Sequence, residues 1–396
     1  GDNNSDMKIS VMADVGRCDY KKDIIDKKDS VIDMVRVATY VHQMPAAIEM
    51  IEDAKGFLYP QVDSAICIEC GVCDNVCPMD VSNISLKYPL KALAAWNKNR
   101  QEHLLSSSGG AAYVFSSYIL DKGGVVYGCT SDGIDICHIR VEDHTDLSKL
   151  QGSKYVQSNV CGLFKEVKRD LKNGKPVLFI GTPCQVAGLK NYIKHLPEHL
   201  YLVDLICHGV PSQKMLHDHI KHVAKGQKIQ HISFRKGNSF IISFKAPNFS
   251  HNADVWEEPY KDLYMKGFMD GMTYQSSCYQ CPFASPSRVS DMTIGDFWGL
   301  KNAEILPEET RDGVSLLLPM TDKGLNLLQA VKSHFHIIER SVDEAVDGNT
   351  QLRHPSIQGR RSRLFNILYP ILSFDMAMNI VLADHKAIWK LKNRNF

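Results

Sequence analysis

The chain has 396 residues and a net charge of +1, with 46 Lys and Arg against 45 Asp and Glu, so it carries no electrostatic footprint for nucleic acid. Hydrophobic residues make up 44% and charged residues 23%, which is ordinary for a soluble globular protein of two or three domains. No apolar run is long enough to span a bilayer and no signal-peptide pattern is seen. Twelve cysteines, some at metal-ligand spacing, fit a reducing, cytoplasmic setting better than a disulfide scaffold.

Residues 1–30 are polar and charged and remain unassigned. From 31 to 85 the sequence reads as a ferredoxin-like iron–sulfur domain. Its second half carries Cys67-Ile68-Glu69-Cys70-Gly71-Val72-Cys73-Asp74-Asn75-Val76-Cys77-Pro78, the Cys-x-x-Cys-x-x-Cys-x-x-x-Cys-Pro run of bacterial ferredoxins. A cubane cluster needs converging thiolates, and a tight loop delivers several from one short segment. Gly71 relieves crowding where N–H groups turn toward cluster sulfurs, and Pro78 keeps the loop from continuing as helix. Zinc sites separate their Cys-x-x-Cys pairs by longer spacers.

Thirty-three residues upstream the same pattern ends at Pro45, but its cysteine positions hold Met34, Val37, Tyr40 and Met44. Ala46 to Met50 reads as the short strand that follows such a run, so the first half looks like a ferredoxin half without its ligands. An amphipathic helix over Val31 to Val41 is the plain alternative. In two-cluster ferredoxins the fourth cysteine serves the other cluster, which would give Cys67, Cys70 and Cys73 the poor ligand Met44. Either Cys77 completes the cluster, or a distant residue such as Cys18 does, or three protein ligands suffice.

A connector follows, with a helix expected over Leu86 to Asn97. Ser106 to Ala112 then leads into a helix through Leu120, a small-residue helix start that suits either an anion or simple capping. Strands are expected at Val125 to Cys129, Ile136 to Val141, Val177 to Ile180 and Leu200 to Ile206, the last two apolar enough for buried parallel strands. Helices fall around Leu147 to Leu150, from Cys161 to Leu171, and from the Gly181-Thr182-Pro183-Cys184-Gln185 turn to Ile193. Another starts after Ser212, a good N-cap. Cys184 and Cys207 thus sit at the carboxyl ends of two buried strands, where open α/β sheets bind ligands. Buried filler is the commoner role for a lone cysteine, but two in equivalent turns point toward function.

A β-hairpin is expected from Gln230 to Lys245 around Lys236 to Ser239, then a helix over Tyr260 to Gly267. Cys278-Tyr279-Gln280-Cys281-Pro282 needs two further ligands to hold a cluster or zinc, and Cys184 with Cys207 would supply them. A redox-active dithiol is the other option. The basic tail, Arg360 to Arg363 and a closing helix Ile380 to Leu391, reads as a solvated face.

Taken in order, the Ser-Gly-Gly helix start, Gly152 to Ser158, Gly181 to Gln185, Asp204 to Ser212, the Cys-x-x-Cys pair and Gly295-Asp296-Phe297-Trp298-Gly299 resemble the beta subunit of coenzyme F420 hydrogenases and dehydrogenases. The resemblance covers about residues 45–370. It implies an iron–sulfur flavoprotein oxidoreductase passing electrons between a ferredoxin-type 4Fe–4S cluster and FAD, and then to or from an unidentified substrate or deazaflavin-like carrier. The alternative is an electron-transfer subunit with no substrate site. By motif, Ser107, Ser108, Gly109 and Gly110 would lie against FAD phosphates, and Lys154, Tyr155, Gln157 and Thr182 would line the cofactor. Cys67, Cys70, Cys73 and Cys77 would hold one cluster, and Cys184, Cys207, Cys278 and Cys281 a second if there is one. The expected partner is a redox protein or small electron carrier. The expected fold is α/β (α+β overall): the ferredoxin-like segment, an α/β flavin-binding core over 86–228, a partly antiparallel C-terminal part over 229–370, and a basic helix over 371–396. Substrate, catalytic residues and oligomeric state are not legible.

Overall fold

The computed structural model describes residues 10–14, 34–38, 55–57, 67–79, 84–160, 162–302 and 306–393. Two short strands, β1 (Ser10–Asp14) and β2 (Met34–Ala38), pair in parallel from Ser10↔Met34 to Asp14↔Ala38. The helix alternative for Val31 to Val41 therefore gives way to a strand: Val35 and Val37 favour extended backbone, and a parallel neighbour takes their hydrogen bonds. Tyr40, Met44, Pro45 and the expected strand Ala46 to Met50 lie outside the described residues, as does Cys18. A five-residue helix, α1 (Val72–Val76), sits inside the cysteine run.

The helix expected over Leu86 to Asn97 is a strand, β3 (Ala92–Asn97), buried at all six positions. Its alanines favour helix locally, but the segment lies between two partner strands and tertiary pairing decides. Next come α2 (Arg100–Leu105), α3 (Ala111–Asp121), β4 (Val125–Asp132), β5 (Asp135–Val141) and a 3₁₀ turn at His144–Leu150. They are followed by α4 (Leu163–Lys172), β6 (Val177–Gly181), α5 (Pro183–Ile193), β7 (Leu200–Leu205) and α6 (Gln213–Ala224).

An antiparallel sheet, β8 (His231–Ser233), β9 (Ile241–Ala246) and β10 (Phe249–Asp254), contains the expected hairpin and adds β10, which the sequence did not signal. After α7 (Leu263–Met269) come β11 (Met292–Asp296), β12 (Ser315–Pro319), α8 (Asp322–Val331), β13 (Phe335–Arg340) and α9 (Val342–Gly348). The chain closes with α10 (Arg360–Leu368), α11 (Phe374–Val381) and α12 (Ala383–Lys392). The closing helix is thus two helices, broken at Leu382, which is fully buried with φ −106° and ψ 7°.

The main sheet runs β13-β3-β12-β11-β7-β6-β4-β5. Strands β4, β6, β7 and β11 are parallel neighbours, and the outer pairings are antiparallel. The expected α/β class with antiparallel additions is the one observed, and the sheet draws strands from both sides of residue 228.

Alternating side chains fill both faces, as the two-residue period of a strand requires. Leu178 and Val203 pack with α3 and α8. Val177, Phe179, Leu200 and Leu202 pack with Leu163, Val167 and Leu171 of α4 and Val186 and Leu189 of α5. A second core joins α6, α7, the small sheet, α10 and α11. Among the described residues no helix is long and apolar enough to cross a membrane.

Candidate functional site

The ferredoxin-type loop is held by its own backbone. Glu69 and Gly71 adopt left-handed φ values of 52° and 64°, and the Glu69 N–H reaches Cys67 Sγ at 3.4 Å. Asn75 donates from both backbone and side chain to Gly71 O, and the Cys77 N–H bonds Asp74 O at 3.2 Å. Cys73 on α1 and Cys77 at its C-cap are therefore one turn apart. Cys67, Cys70 and Cys73 are exposed and Cys77 is half-buried. Helix α1 packs against α5.

The first turn of α5 carries Cys184. Thr182 caps this helix through a capping box with Gln185, Pro183 takes the first helical position, and Thr182 Oγ1 lies 3.2 Å from Cys184 Sγ. Cys207 follows β7 at the same edge of the sheet. Cys278 and Cys281 sit in and just after a 3₁₀ turn, Ser276–Gln280. That turn docks on the one after β7: the Gln275 N–H bonds Val210 O at 2.9 Å, and the Val210 N–H faces the Cys278 sulfur.

Burial pushes all four thiols upward, Cys207 to about 12, and the four act electrostatically on one another. Backbone N–H groups face each sulfur: Gln185 for Cys184, Gly209 for Cys207, Val210 for Cys278, and Phe283 and Ala284 for Cys281. Half-buried thiols faced by amide donors are protonated when metal-free and stabilised as thiolates once a metal displaces the proton. Among the described residues no three His, Cys, Asp or Glu side chains are gathered tightly enough for a single metal ion. A cubane, with irons at its corners, takes its thiolates from farther apart.

Beneath the cysteines lies a buried ion pair that the sequence reading missed. Arg288 Nη2 donates to Asp204 Oδ1 at 3.2 Å and to Leu205 O at 2.6 Å, and Nη1 donates to Phe283 O at 2.7 Å. Thr293 Oγ1 also donates to Asp204 Oδ1, at 2.6 Å. The side chains of Arg288 and Asp204 are 1% and 0% exposed. A charge within Leu200-Tyr201-Leu202-Val203-Asp204-Leu205 was the available signal, since a buried carboxylate requires a partner. Nothing in the sequence marked Arg288 as that partner.

The residues assigned by motif to the flavin gather at the same carboxyl edge, in mixed roles. Ser107 Oγ accepts from the Ser153 N–H at 2.9 Å. Ser108 Oγ is buried without a hydrogen-bond partner. Gly110, with φ 82°, caps α3. A Cβ on Gly109 would sit 2.1 Å from Ala95 O and 2.6 Å from Ser315 N, so that glycine is required by the strand backbones beside it. Lys154 Nζ is spent on the carbonyls of Cys129, Leu150 and Gln151, and burial pushes it down to about 8. The Gln157 N–H bonds Pro211 O at 2.8 Å, which ties this segment to the turn after Cys207. The Tyr155 ring stacks on Phe268 at 4.4 Å, and the ring of His208, next to Cys207, is tilted against Phe268 at 6.5 Å.

Residues 174–345 match the family model for the C-terminal part of the coenzyme F420 hydrogenase/dehydrogenase beta subunit. The chain is 24% identical over 236 residues to the coenzyme F420-dependent sulfite reductase of Methanocaldococcus jannaschii, an alignment covering 46% of this chain and 37% of that one. Among solved structures it is similar to a chain of the F420-reducing [NiFe] hydrogenase complex from Methanosarcina barkeri, at 17% identity and a TM-score of 0.46 over 67% of this chain and 91% of that one. The family match thus falls on residues 174–345, under half of this chain, and the alignment with the reductase spans well under two thirds of that protein's length.

Proposed function

We propose that the chain is an iron–sulfur flavoprotein oxidoreductase that passes electrons between a ferredoxin-type 4Fe–4S cluster and FAD, and exchanges them with a substrate or a deazaflavin-like carrier. Cys67, Cys70, Cys73 and Cys77 would hold one cluster. Cys184, Cys207, Cys278 and Cys281 would hold a second, and the carboxyl edge around Ser107, Ser108 and Tyr155 would hold FAD. Bound there, the clusters carry single electrons and the flavin exchanges them for pairs.

One observation carries the reading. The helix inside the first cysteine run packs on α5, whose first turn delivers a cysteine of the second set. The chain's own residues supply the rest. N–H groups favour thiolate at each of the four sulfurs at the sheet edge, and Ser108 keeps a buried hydroxyl uncommitted. Cys77, half-buried in the same loop as its three neighbours, would be the fourth ligand.

The test is the cofactor content of anaerobically purified protein. Two cubanes bring about eight irons and eight sulfides per chain, with one FAD. Background iron and no flavin would sink the proposal. The exposure of Cys67, Cys70 and Cys73 favours a second reading, an electron-transfer subunit that serves a docked partner. Under that reading the protein holds the same cofactors but reduces no small acceptor by itself.

A further inference from the structure

Beside Cys184 on α5, three of the four cysteines come from two pieces of chain far apart in sequence, the end of β7 with Cys207 and the loop with Cys278 and Cys281. One main-chain bond, from the Gln275 N–H to Val210 O, joins them on one side. On the other side one side chain spans the gap. The Arg288 fork takes Leu205 O and Asp204 Oδ1 on the strand with Nη2, and Phe283 O on the cysteine loop with Nη1. Phe283 is two residues from Cys281 and turns its own N–H to that sulfur. The backbone of Arg288 is fixed as well, pairing in both directions with Lys87. The guanidinium is fully buried and lies within electrostatic reach of Cys207 and Cys281.

We propose that Arg288 is the positioning residue of this centre. Its planar fork clamps the Cys278–Cys281 loop onto the end of β7, and its buried charge, placed between the Asp204 carboxylate and the sulfurs, holds the centre's reduction potential up. The charge term rests on the reading that the four cysteines hold a cluster. The clamp does not, because it is a property of the metal-free fold.

The physical basis is the difference between a fork and a point charge. Arginine presents rigid donors in two directions at once, whereas lysine presents one compact ammonium. A cation in a dry site stabilises the more negative, reduced form of a neighbouring redox group. Arg288→Lys should therefore retain the charge and lose the span, and Arg288→Gln should lose both.

Two readouts separate the terms, each on the full-length protein. In iron-free protein, the alkylation rate of Cys278 and Cys281 by iodoacetamide, resolved by peptide mass spectrometry, should rise roughly tenfold or more in both variants as the loop opens more often. Cys129, away from the clamp, serves as the internal control and should not change. In reconstituted protein, an EPR-monitored redox titration should give the inner centre a lower potential in Arg288→Gln and an unchanged one in Arg288→Lys.

Wild-type alkylation rates in both variants overturn the clamp. A wild-type potential in Arg288→Gln overturns the charge effect. If wild-type protein shows no second cluster signal, the four-cysteine reading fails, the charge term falls with it, and alkylation alone judges the clamp. Should Arg288→Gln fail to fold, Arg288→Lys, which keeps a cation against Asp204, carries the alkylation test, and a shifted potential there would overturn the charge term.

Discussion

Pro78, directly after the ferredoxin-type run, lies against Gly188, four residues beyond Cys184 on α5. A Cβ on Gly188 would stand 3.9 Å from Pro78 and 3.6 Å from Phe164. A methyl group fits there at ordinary contact distance, but a larger side chain does not. Gly188→Ala should raise stability by up to about 1 kcal/mol, from helix propensity alone. Gly188→Phe should wedge the loop off α5 and slow electron exchange between the two cysteine sets while leaving iron content intact. Stopped-flow reduction at unchanged speed in Gly188→Phe would count against this contact as the route.

The fourth ligand of the outer centre is tested by single substitutions. Cys67→Ser, Cys70→Ser and Cys73→Ser should each remove or convert the proposed cluster, because each thiolate would hold one iron. Cys77→Ser is the informative variant. Under the crossover rule of two-cluster ferredoxins it would leave this cluster untouched. Its place in the same loop, one turn from Cys73, predicts an altered low-temperature EPR spectrum, and an unaltered one would return the ligand question to residues outside the loop.

At the flavin edge the variant to make is Ser108→Ala. The Ser108 hydroxyl is buried and unpartnered, so its removal should cost the cofactor-free protein nothing and could add about 1 kcal/mol of stability. A flavin phosphate at that helix start would miss the donor, and FAD should bind several-fold more weakly. Equal FAD affinity in mutant and wild type would move the phosphates elsewhere. Gly109→Val is a poor probe by comparison, since its side chain would collide with the backbone at Ala95 and Ser315 and unfold the edge itself.

A pH limb is expected from the second core. His219 lies between Asp262 at 3.0 Å and Asp375 at 2.9 Å. Burial opposes its charge, but the two carboxylates prevail and raise it from 6.5 to about 10. Asp262 is also buried and is lowered from 3.8 by the His219 charge and by hydrogen bonds from His219 and His251. The raised histidine contributes stability that is complete below pH 6.5 and is lost as pH rises toward about 10. The lowered carboxyl contributes stability that is complete above 3.8 and is lost as pH falls through its folded value. Melting temperature should therefore decline between pH 6.5 and 10 in the wild type, and this component should vanish in His219→Gln. A decline of the same slope in that variant would assign the limb to other groups.

Much of this was legible in the sequence because strong local signals coincided with the tertiary outcome. Apolar runs at Val177 and Leu200 became neighbouring parallel strands, and the cysteines that end them came to one edge. Expectations failed where the deciding partner was remote. Ala92 to Asn97 has the composition of a helix and becomes a strand because β12 and β13 flank it. Lys154 and Gly109 carry contacts that the motifs do not signal, the ammonium with three carbonyls and the glycine with two strand backbones. Arg288 gave no signal at all, because its role depends on a carboxylate and two carbonyls from other parts of the chain.

The order of the main sheet has a consequence for biosynthesis. β3 lies between β12 and β13, so an early strand waits for two late ones. Pairings of such long sequence separation form slowly, and a nascent chain emerging from the ribosome must carry β3 unpaired until nearly all of the sheet has been made. Gly109 rests on Ala95 from the early part and Ser315 from the late part, and Ser108 lies against Gly313. The edge that would take the flavin therefore comes into being only at the end of synthesis, whereas the Cys67–Cys77 loop has every one of its own cysteines on hand from the start.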